Sequence, residues 1–392
     1  MRPVDREPRR LTVVNIVEEG RYGGPQQRIA GVAVRLQADH GIDTVVVLPA
    51  AGSDRFQRVL NAAGVQSRVI QLHRLTREIQ HLAGYLFFFV SEVRALRSVI
   101  RSVRPDVVHC NGSWQVKGMI AAWLAGVRRV WHLNDTFMPA MVRPLFRVVY
   151  RLCPPDGVVA SSRRTLQYYF AGRRSQPLAT WVIPPPVDTA RFDPALDVPC
   201  PYPDEGFDGV RVLSVGNINP VKDHELFIRL AHELNARGRG ARLRFYVAGT
   251  IFDNQRPYYE TLQALAARLH VDNLLFLGSR QDVPALMRHA DIFVCTSKHE
   301  SGPMVVCEAL SMAKPVLSTD VGDVRELFEE HRCGLVAAGR EPQELADLLE
   351  RLIDPSGEAA AMVENGRATA TLMDIHHAAA QHAACYRELA GC

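Results

Sequence analysis

The feature that most constrains this chain is an alternation of short apolar runs with longer amphipathic segments. Seven Val- and Ile-rich runs, from LTVVNIV to TWVIPP, occupy the first half, and six, from VRVLSVG to GLVAA, the second. Strands so continuously apolar are buried on both faces, as in a parallel sheet covered by helices. Helix-length segments separate them, notably at 25–38, 78–103, 223–237, 257–269 and 303–313. The alternation predicts an α/β chain built from doubly wound parallel sheets.

The length and one break in the alternation predict the domains. The chain has 392 residues, enough for two to three domains of ~150 residues. Periodicity is lost at 183–209, where prolines are frequent. We therefore predict an N-terminal domain over 1–185, a Pro-rich linker over 186–209 and a C-terminal domain over 210–372. The Ala-rich segment 373–392 is expected to form a helix that packs back toward the N-terminal domain.

Composition excludes several classes of protein. The chain is 47% hydrophobic and 22% charged, with a net charge of +4, so neither disorder nor a nucleic-acid partner is indicated. The eight cysteines are scattered and form no Cys-x-x-Cys pair, which favours reduced thiols. The N-terminal run MRPVDREPRR does not resemble a signal peptide, and the most apolar run, LAGYLFFFV, is far shorter than the ~20 residues of a membrane span. A cytoplasmic protein is expected.

The strongest candidate site follows the run DIFVCTS, in the segment SKHESGPMVVCEAL over 297–310. Glu300 is expected in a loop, Gly302 to allow close approach of the backbone, and Pro303 to be the first residue of a helix. The free N–H groups and dipole of such a helix attract anions. Glu308, about one and a half turns along it, can reach a ribose diol. The alternative is an exposed Glu308 and a Glu300 that is only a loop charge.

Two other turns place glycine or lysine beside a predicted helix. Lys222 follows the strand that ends at Gly216, and a lysine at such a turn can neutralise a phosphate. Gly23 and Gly24 open a helix after the first strand, where backbone amides can approach a ligand. A solvated lysine and a turn that merely requires glycine are the alternatives. Neither G-x-G-x-x-G nor G-x-x-x-x-G-K-[ST] occurs, which counts against NAD and P-loop proteins.

Histidines end two strands of the first half. His109 lies in DVVHCN and His132 in VWHLNDT, where Asn134 and Asp135 follow it. Imidazole can transfer protons or bind hydroxyl groups near neutral pH. These residues are predicted to line a cleft, although a single histidine at a strand end is more often structural.

The C-terminal histidines are interpreted differently. His376, His377 and His382 have no cysteine or carboxylate at ligand spacing, so they are predicted to lie on a helix surface. The chain also contains no D-x-D triplet, which weakens the case for a metal bound to a diphosphate. We expect no metal site and no cofactor.

Taken in order, these segments resemble the retaining GT-B glycosyltransferases of family 4. The resemblance extends over most of the chain and includes GGPQQRIAGVAVRL, VLSVGNINPVKDHELFIRLAHEL and HESGPMVVCEALSMAKPVLSTDVGDVREL. It implies two Rossmann-like domains that face each other across a cleft. It also implies metal-independent transfer, with retained configuration, from a nucleotide-diphosphate sugar of the UDP or GDP type. The acceptor would be a glycan or a lipid-linked molecule in bacterial-type polysaccharide or glycoconjugate synthesis.

The resemblance implies roles for individual residues. His132 and Glu300 would be the catalytic pair beside the transferred sugar. The donor would contact Gly23, Gly24, Gly216, Asn217, Lys222, Ser301, Gly302, Pro303, Met304, Val305 and Glu308. The acceptor side would include His109, Asn134 and Asp135. Cations and amides around the diphosphate would supply most of the catalytic free energy.

One departure from the family pattern leaves a second hypothesis open. The family usually has an arginine after the strand glycine, where this chain has Asn217, and Asn219 is neutral too. Arg280 and Arg21 are candidates to replace that cation. The alternative is a catalytically weak nucleotide-sugar-binding partner of a glycan-synthesis complex. A GT-B isomerase or an NAD-type oxidoreductase has no supporting motif.

Arginines concentrate in two predicted helices of the first half. They are spaced to form basic amphipathic faces, at Arg94, Arg97, Arg101 and Arg104 and at Arg143, Arg147 and Arg151. Such a face can bind an anionic membrane surface, or can simply be solvated. The pattern therefore suggests peripheral association with the inner face of the cytoplasmic membrane.

Overall fold

The computed structural model describes residues 10–74, 79–136, 138, 143–170, 179–204, 206–353 and 358–392. The chain divides into two compact units, Met1–Pro185 with Ile375–Cys392, and Pro186–Asp374. The segment 1–9, on which the expectation about a leader rests, lies outside the described residues. All eight cysteines are free thiols. Across the described ranges, no helix is both long and apolar enough to cross a bilayer.

The N-terminal unit contains seven strands and seven consecutive helices. The strands are β1 (Thr12–Ile16), β2 (Asp43–Pro49), β3 (Gln66–Ile70), β4 (Val107–Asn111), β5 (Arg128–Leu133), β6 (Gly157–Ala160) and β7 (Thr180–Val182). The helices are α1 (Gly24–His40), α2 (Asp54–Ala62), α3 (Ile79–Phe87), α4 (Phe89–Val103), α5 (Val116–Ala125), α6 (Arg143–Leu152) and α7 (Arg163–Phe170). All strand pairs are parallel, in the order β3-β2-β1-β4-β5-β6-β7.

The C-terminal unit repeats this plan with six strands. They are β8 (Val210–Val215), β9 (Leu243–Ala248), β10 (Leu274–Gly278), β11 (Ile292–Cys295), β12 (Val316–Ser318) and β13 (Leu335–Val336). The helices are α8 (His224–Ala236), α9 (Arg256–Arg268), α10 (Val283–His289), α11 (Met304–Ser311), α12 (Val324–His331), α13 (Pro342–Ile353) and α14 (Glu358–Leu372). The parallel order is β10-β9-β8-β11-β12-β13. The prediction of two doubly wound parallel sheets is confirmed.

One predicted helix is interrupted. The segment 78–103 was expected to be continuous, but α3 ends at Phe87 and α4 begins at Phe89, while residue 78 lies outside the described part. Phe88 has a ψ of 0°, and its ring stacks on the ring of His73 at 4.6 Å between centroids. This aromatic contact accompanies the local departure from helical geometry.

The last helix, α15 (Ile375–Ala390), belongs to the N-terminal unit, where it packs along α1. A Cβ at Gly31 of α1 would lie 2.4 Å from Cδ1 of Ile375, so any larger residue would force the Ile375 side chain to shift. The buried face of α15 includes Ala379, Ala383 and Tyr386. The chain therefore returns, after the whole C-terminal unit, to complete the first one.

Both sheets have one point where the direction of winding reverses. In the N-terminal unit this switch lies between β1 and β4, and in the C-terminal unit it lies between β8 and β11. Open α/β sheets bind ligands beyond the carboxyl ends of the strands at such points. The residues that follow these four strands are therefore the ones to inspect.

Candidate functional site

A lysine and a glutamate meet at the switch point of the C-terminal unit. Lys222 lies in the turn after β8 and Glu300 in the loop after β11, the neighbouring strand. Nζ of Lys222 donates to Oε1 of Glu300, and the hydroxyl of Ser297 donates to the same oxygen at 2.9 Å. Burial disfavours the lysine charge, but the carboxylate more than offsets this and holds the pKa of Lys222 above its ordinary value. Lys222 is therefore a cation at neutral pH.

Two glycines make room for the Lys222 side chain. A Cβ at Gly216 would lie 3.1 Å from Cδ of Lys222. Gly249, which sequence analysis did not single out, packs against the same turn, where its Cβ would lie only 1.9 Å from the carbonyl oxygen of Gly216. The close approach of these two backbone segments fixes the path of the lysine stem.

A second ion-pair cluster supports the loop that carries Glu300. Asp223 has a left-handed φ of 49° and pairs with Arg340 and, at 3.3 Å, with Lys298. Arg340 also donates to the carbonyl oxygen of Ser297 at 3.0 Å. Sequence analysis missed Arg340 because it follows β13, far along the chain from the loop that it holds.

The N-terminus of α11 differs from the predicted one by one position. Pro303 has a ψ of 100° and is the cap residue, so the expectation that it is the first helical residue is wrong. Its extended ψ places the helix start at Met304 and Val305, whose N–H groups have no partner within the helix. The preceding residues Ser301 and Gly302 pack against Gly322, where a Cβ would lie 3.1 Å from the Ser301 carbonyl oxygen.

Glu308 is buried in α11, with 6% of its surface exposed, so the alternative of an exposed helix residue is wrong. Burial raises the pKa of Glu308 to about 7, although the positive charges of Arg191 and Lys222 act in the opposite direction. The carboxyl therefore changes its charge near neutral pH.

The cations proposed to replace the family arginine are already paired. Arg21 bonds Glu19 at 2.9 Å, and Arg280 bonds Asp282 at 2.8 Å. The carbonyl oxygen of Asn217 lies 3.4 Å from Nε2 of His224, which orders the turn but adds no charge. In this turn, Lys222 is therefore the cation that the structure places at the edge of the sheet.

In the N-terminal unit, Gly23 caps α1 and Gly24 begins it. Gly23 has a φ of −159°, an extended conformation that any residue can adopt, and a Cβ there would meet its nearest neighbour, Oε1 of Gln26, at 3.6 Å. The alternative, a turn that merely requires glycine for its backbone conformation, does not hold at Gly23. Nε2 of Gln26 closes the loop by donating to the carbonyl oxygen of Glu19 at 2.8 Å.

The two strand-end histidines contact each other. His109 and His132 lie on the neighbouring strands β4 and β5, with 3.0 Å between Nε2 of His109 and Nδ1 of His132. Nη1 of Arg28 lies 2.7 Å from Nε2 of His132, and Nη2 donates to Oδ1 of Asn111 at 2.9 Å. Each histidine is 1% exposed. They line a small cavity of about 10 Å³, roughly one water in size.

The C-terminal helix completes this cluster. The hydroxyl of Tyr386 lies 2.8 Å from Nδ1 of His109. The ring of His382 lies 5.6 Å from that of His109, between centroids, so the prediction that His382 is on a helix surface is wrong. It failed because this helix face is covered by the sheet of the same unit. His376 and His377 are exposed as predicted.

The remaining acceptor-side candidates lie just beyond β5. Asp135 accepts a hydrogen bond of 2.6 Å from the hydroxyl of Tyr169, while Asn134 is half-buried, with Oδ1 facing Gly112. Within the described ranges, no three His, Cys, Asp or Glu side chains are grouped so that they could hold a metal ion.

Arg28 is the main residue that sequence analysis left without a role. It lies on α1 four positions before Val32 and eight before Leu36, on the buried face of the helix. A cation at helical spacing within an apolar stripe was a usable signal, because such a charge is seldom buried without a purpose.

Comparison with known proteins follows the same division of the chain. Residues 22–191 match the family Glycosyltransferase Family 4, and residues 207–369 match the family Glycosyl transferases group 1. Alpha-D-kanosaminyltransferase of Streptomyces kanamyceticus is 32% identical over 45% of each chain. The D-inositol 3-phosphate glycosyltransferase of Salinispora tropica is 26% identical over 98% of this chain and 89% of the relative.

The fold agrees with these matches. The crystal structure of Anabaena HepE in complex with UDP-glucose superposes with a TM-score of 0.79 and 21% identity, over 96% of this chain and all of the other. At that level of identity the superposition establishes the GT-B fold. With the two family matches spanning both units, the chain is a glycosyltransferase that belongs to the GT-B family 4 group.

Proposed function

We propose that this enzyme transfers a sugar from a UDP- or GDP-sugar to a glycan or lipid-linked acceptor, with retention of configuration and without a metal ion. The donor binds mainly to the C-terminal unit and the acceptor to the N-terminal one, in bacterial-type polysaccharide or glycoconjugate synthesis. The observation that carries the proposal is the Lys222–Glu300 pair beside the N-terminus of α11.

The chemistry follows from where charge develops. As the bond from the anomeric carbon to the phosphate oxygen breaks, the departing nucleoside diphosphate keeps the electron pair and gains negative charge. Lys222 and the free N–H groups of Met304 and Val305 are fixed before the reaction, so they stabilise this charge without reorganising. The acceptor hydroxyl forms the new bond to the anomeric carbon, and its proton passes to the departing phosphate oxygen.

Glu300 is held by Lys222 while no donor is bound. A diphosphate competes for the lysine, which releases Glu300 to bind hydroxyl groups of the transferred sugar. Glu308, buried one turn further along α11, accepts hydrogen bonds from the ribose hydroxyls. Similarity to a glycosyltransferase named for inositol 3-phosphate supports a hydroxyl-bearing acceptor without selecting one.

A panel of radiolabelled UDP- and GDP-sugars tests the proposal. Lys222→Ala is expected to lower donor hydrolysis or transfer by roughly 10²–10³-fold, the cost of losing one preorganised electrostatic contact. Lys298→Ala is the matched control, since it removes an equal charge from a more exposed lysine in the same loop cluster. Equal losses in both variants, or turnover that survives Lys222→Ala, would contradict the proposal.

A second candidate function rests on Asn217. With a neutral residue where the family carries a cation, the chain could bind nucleotide sugars tightly as a partner protein while turning them over weakly. Calorimetry with the same panel separates the two, because binding without hydrolysis or transfer, under any acceptor, supports the partner role.

We also propose that the enzyme associates peripherally with the inner face of the cytoplasmic membrane. Leu86 and Phe87 at the end of α3 are exposed, Phe87 by 81%, ahead of the exposed Arg94 of α4. Leu152 of α6 is 65% exposed, next to the exposed Arg151. Apolar and basic side chains together on a helix suit an anionic interface.

Flotation with liposomes tests this proposal. Binding is expected with anionic lipid, weaker binding with neutral lipid, and loss of binding in Phe87→Ser and Leu152→Ser. Leu372→Ser in α14 removes a comparably exposed leucine without neighbouring arginines on its turn and serves as the control. Equal flotation with both lipid compositions would overturn the proposal.

A further inference from the structure

We propose that Tyr386, on the C-terminal helix α15, is a positioning residue for the transfer site. It ends a hydrogen-bond chain that runs through His109 and His132 and holds the guanidinium of Arg28, so that His132 acts as a neutral support and not as a base. The inference rests on the proposed function only in placing His132 and Arg28 at the site of sugar transfer.

Arg28 sets the direction of the whole chain. A guanidinium can donate hydrogen bonds but cannot accept them. Because Nη1 of Arg28 lies 2.7 Å from Nε2 of His132, that nitrogen must be the acceptor. The proton of a neutral His132 therefore lies on Nδ1.

The same logic passes to the next ring. Nδ1 of His132 donates across 3.0 Å to Nε2 of His109, which is thus also an acceptor. The proton of His109 lies on its own Nδ1, which donates to the hydroxyl oxygen of Tyr386 at 2.8 Å. Three contacts and one donor-only group therefore assign both tautomers.

Every group that faces the two rings disfavours a second proton. Arg28 on α1 and His382 on α15 face both of them, and the rings face each other. Ser161, which follows β6, contacts His132 only at 3.5 Å. A second proton on either ring would point an N–H at another N–H. Burial, together with the nearby positive charge of Arg28, also holds the pKa of His109 and of His132 well below the ordinary range.

A neutral His132 whose only free lone pair is taken by Arg28 cannot accept a proton from an acceptor hydroxyl. The hydrogen-bond chain instead fixes the guanidinium of Arg28, which uses two of its five N–H groups to bond His132 and Asn111. Orientation of that planar fork is sensitive to small displacements, and misplacement of a binding group is costly to rate.

Nitrogen NMR of histidine-labelled enzyme tests the tautomers without any substrate. His109 and His132, assigned by substituting each with Gln, are expected to carry one proton, on Nδ1, throughout the range from about pH 5.5 to about pH 8.5. A proton on Nε2 of His132, or titration of either ring within that range, would overturn the inference. This outcome does not depend on whether the enzyme transfers a sugar.

Kinetics test the positioning role. Tyr386→Phe is expected to lower kcat roughly tenfold with little change in the donor KM, as loss of one oriented hydrogen bond would. Tyr202→Phe is the matched control, because this buried tyrosine of the C-terminal unit also loses one bond of 2.8 Å, to the Leu286 carbonyl oxygen. A kcat for Tyr386→Phe equal to that of the control overturns the inference. If Tyr386→Phe does not fold, the NMR experiment alone tests the inference. If the unaltered enzyme transfers no sugar, the result counts against the proposed function and not against the tautomers.

Discussion

The two switch points of this enzyme surround their buried guanidinium and ammonium groups with different partners. In the C-terminal unit, Lys222 pairs with Glu300, and Arg340 pairs with Asp223. In the N-terminal unit, Arg28 bonds neutral partners, and no described carboxylate lies within ion-pair distance of it. The same winding of a parallel sheet thus supports ion-paired cations at one edge. At the other it supports a directed chain of neutral rings around Arg28, beside the buried Lys117–Glu92 ion pair.

The two sheet edges should therefore respond differently to ligands, pH and salt. Paired charges exchange partners when a charged ligand arrives, and they respond to pH and salt. A chain whose tautomers are fixed by a donor-only group does neither. Four measurements probe this contrast, beginning with the largest expected effect.

Glu18, which follows β1, is a buried carboxyl at the N-terminal switch point. It is buried, both carboxylate oxygens lack a hydrogen-bond partner among the described residues, and burial raises its pKa to about 8 from 4.5. The folded chain therefore keeps a proton that the unfolded chain loses. Its contribution to the free energy of unfolding is complete below pH 4.5 and falls as pH rises through about 8, by up to about 5 kcal/mol. In chemical unfolding experiments, the free energy of unfolding of Glu18→Gln is expected to lose this pH dependence. The same pH dependence in Glu18→Gln and in the unaltered protein would show that Glu18 is ionised in the folded state.

The corresponding measurement in the C-terminal unit uses Glu308. The pKa of Glu308 is about 7 in the folded protein, against 4.5 in the unfolded chain. The free energy of unfolding therefore falls as pH rises from 4.5 through about 7, by up to about 3 kcal/mol. Glu308→Gln removes that slope. Binding of UDP or GDP should move the opposite way and weaken as pH falls through about 7, because the neutral carboxyl is a poorer acceptor for ribose hydroxyls. Calorimetry across that range checks it, with Glu308→Gln as the pH-insensitive control.

A substitution at Asp223 separates the contribution of its charge to stability from that of its backbone conformation. Asn tolerates the left-handed φ that Asp223 adopts, so Asp223→Asn removes the charge facing Arg340 and Lys298 and leaves the turn intact. We expect a loss of about 1–2 kcal/mol in the free energy of unfolding, since the hydrogen bond is to a charged group. A loss that vanishes would mean that these cations are held by the backbone carbonyl oxygens alone.

Ser161 gives the smallest expected effect. Its hydroxyl lies 3.5 Å from Nε2 of His132 and 3.4 Å from the Leu133 carbonyl oxygen, both too long for strong hydrogen bonds. Ser161→Ala is expected to change stability and kcat within about 0.5 kcal/mol. A larger change would place Ser161 inside the neutral chain and reopen the assignment of the His132 tautomer.

Local patterns predicted the sheets and the charged edge because they depend on short stretches of chain. Continuous apolar runs indicated every strand, and the order strand, turn, helix placed Lys222 and Glu300 at strand ends. Parallel packing then brings adjacent strand ends together, so the two side chains meet without further information.

The hydrogen-bond chain from Arg28 through the two histidines to Tyr386 was not predictable in the same way. Arg28, His109 and Tyr386 are contributed by segments that share no periodic pattern, and Tyr386 lies 277 residues after its partner. His382 was misassigned for this reason, since nothing local indicates which sheet covers a helix that follows the last strand. Arg340 lies 43 residues after Ser297 in the Glu300 loop, a shorter separation that local patterns do not bridge either.

The return of α15 to the N-terminal unit also bears on the order in which the protein matures during synthesis. Residues 186–374 form a unit of their own, inserted between two segments of the other. The ribosome therefore completes the C-terminal unit before it releases the helix that carries Tyr386. Until then the earlier sheet lacks the partner of His109 and the cover of α1, so the first unit begun is the last to be finished.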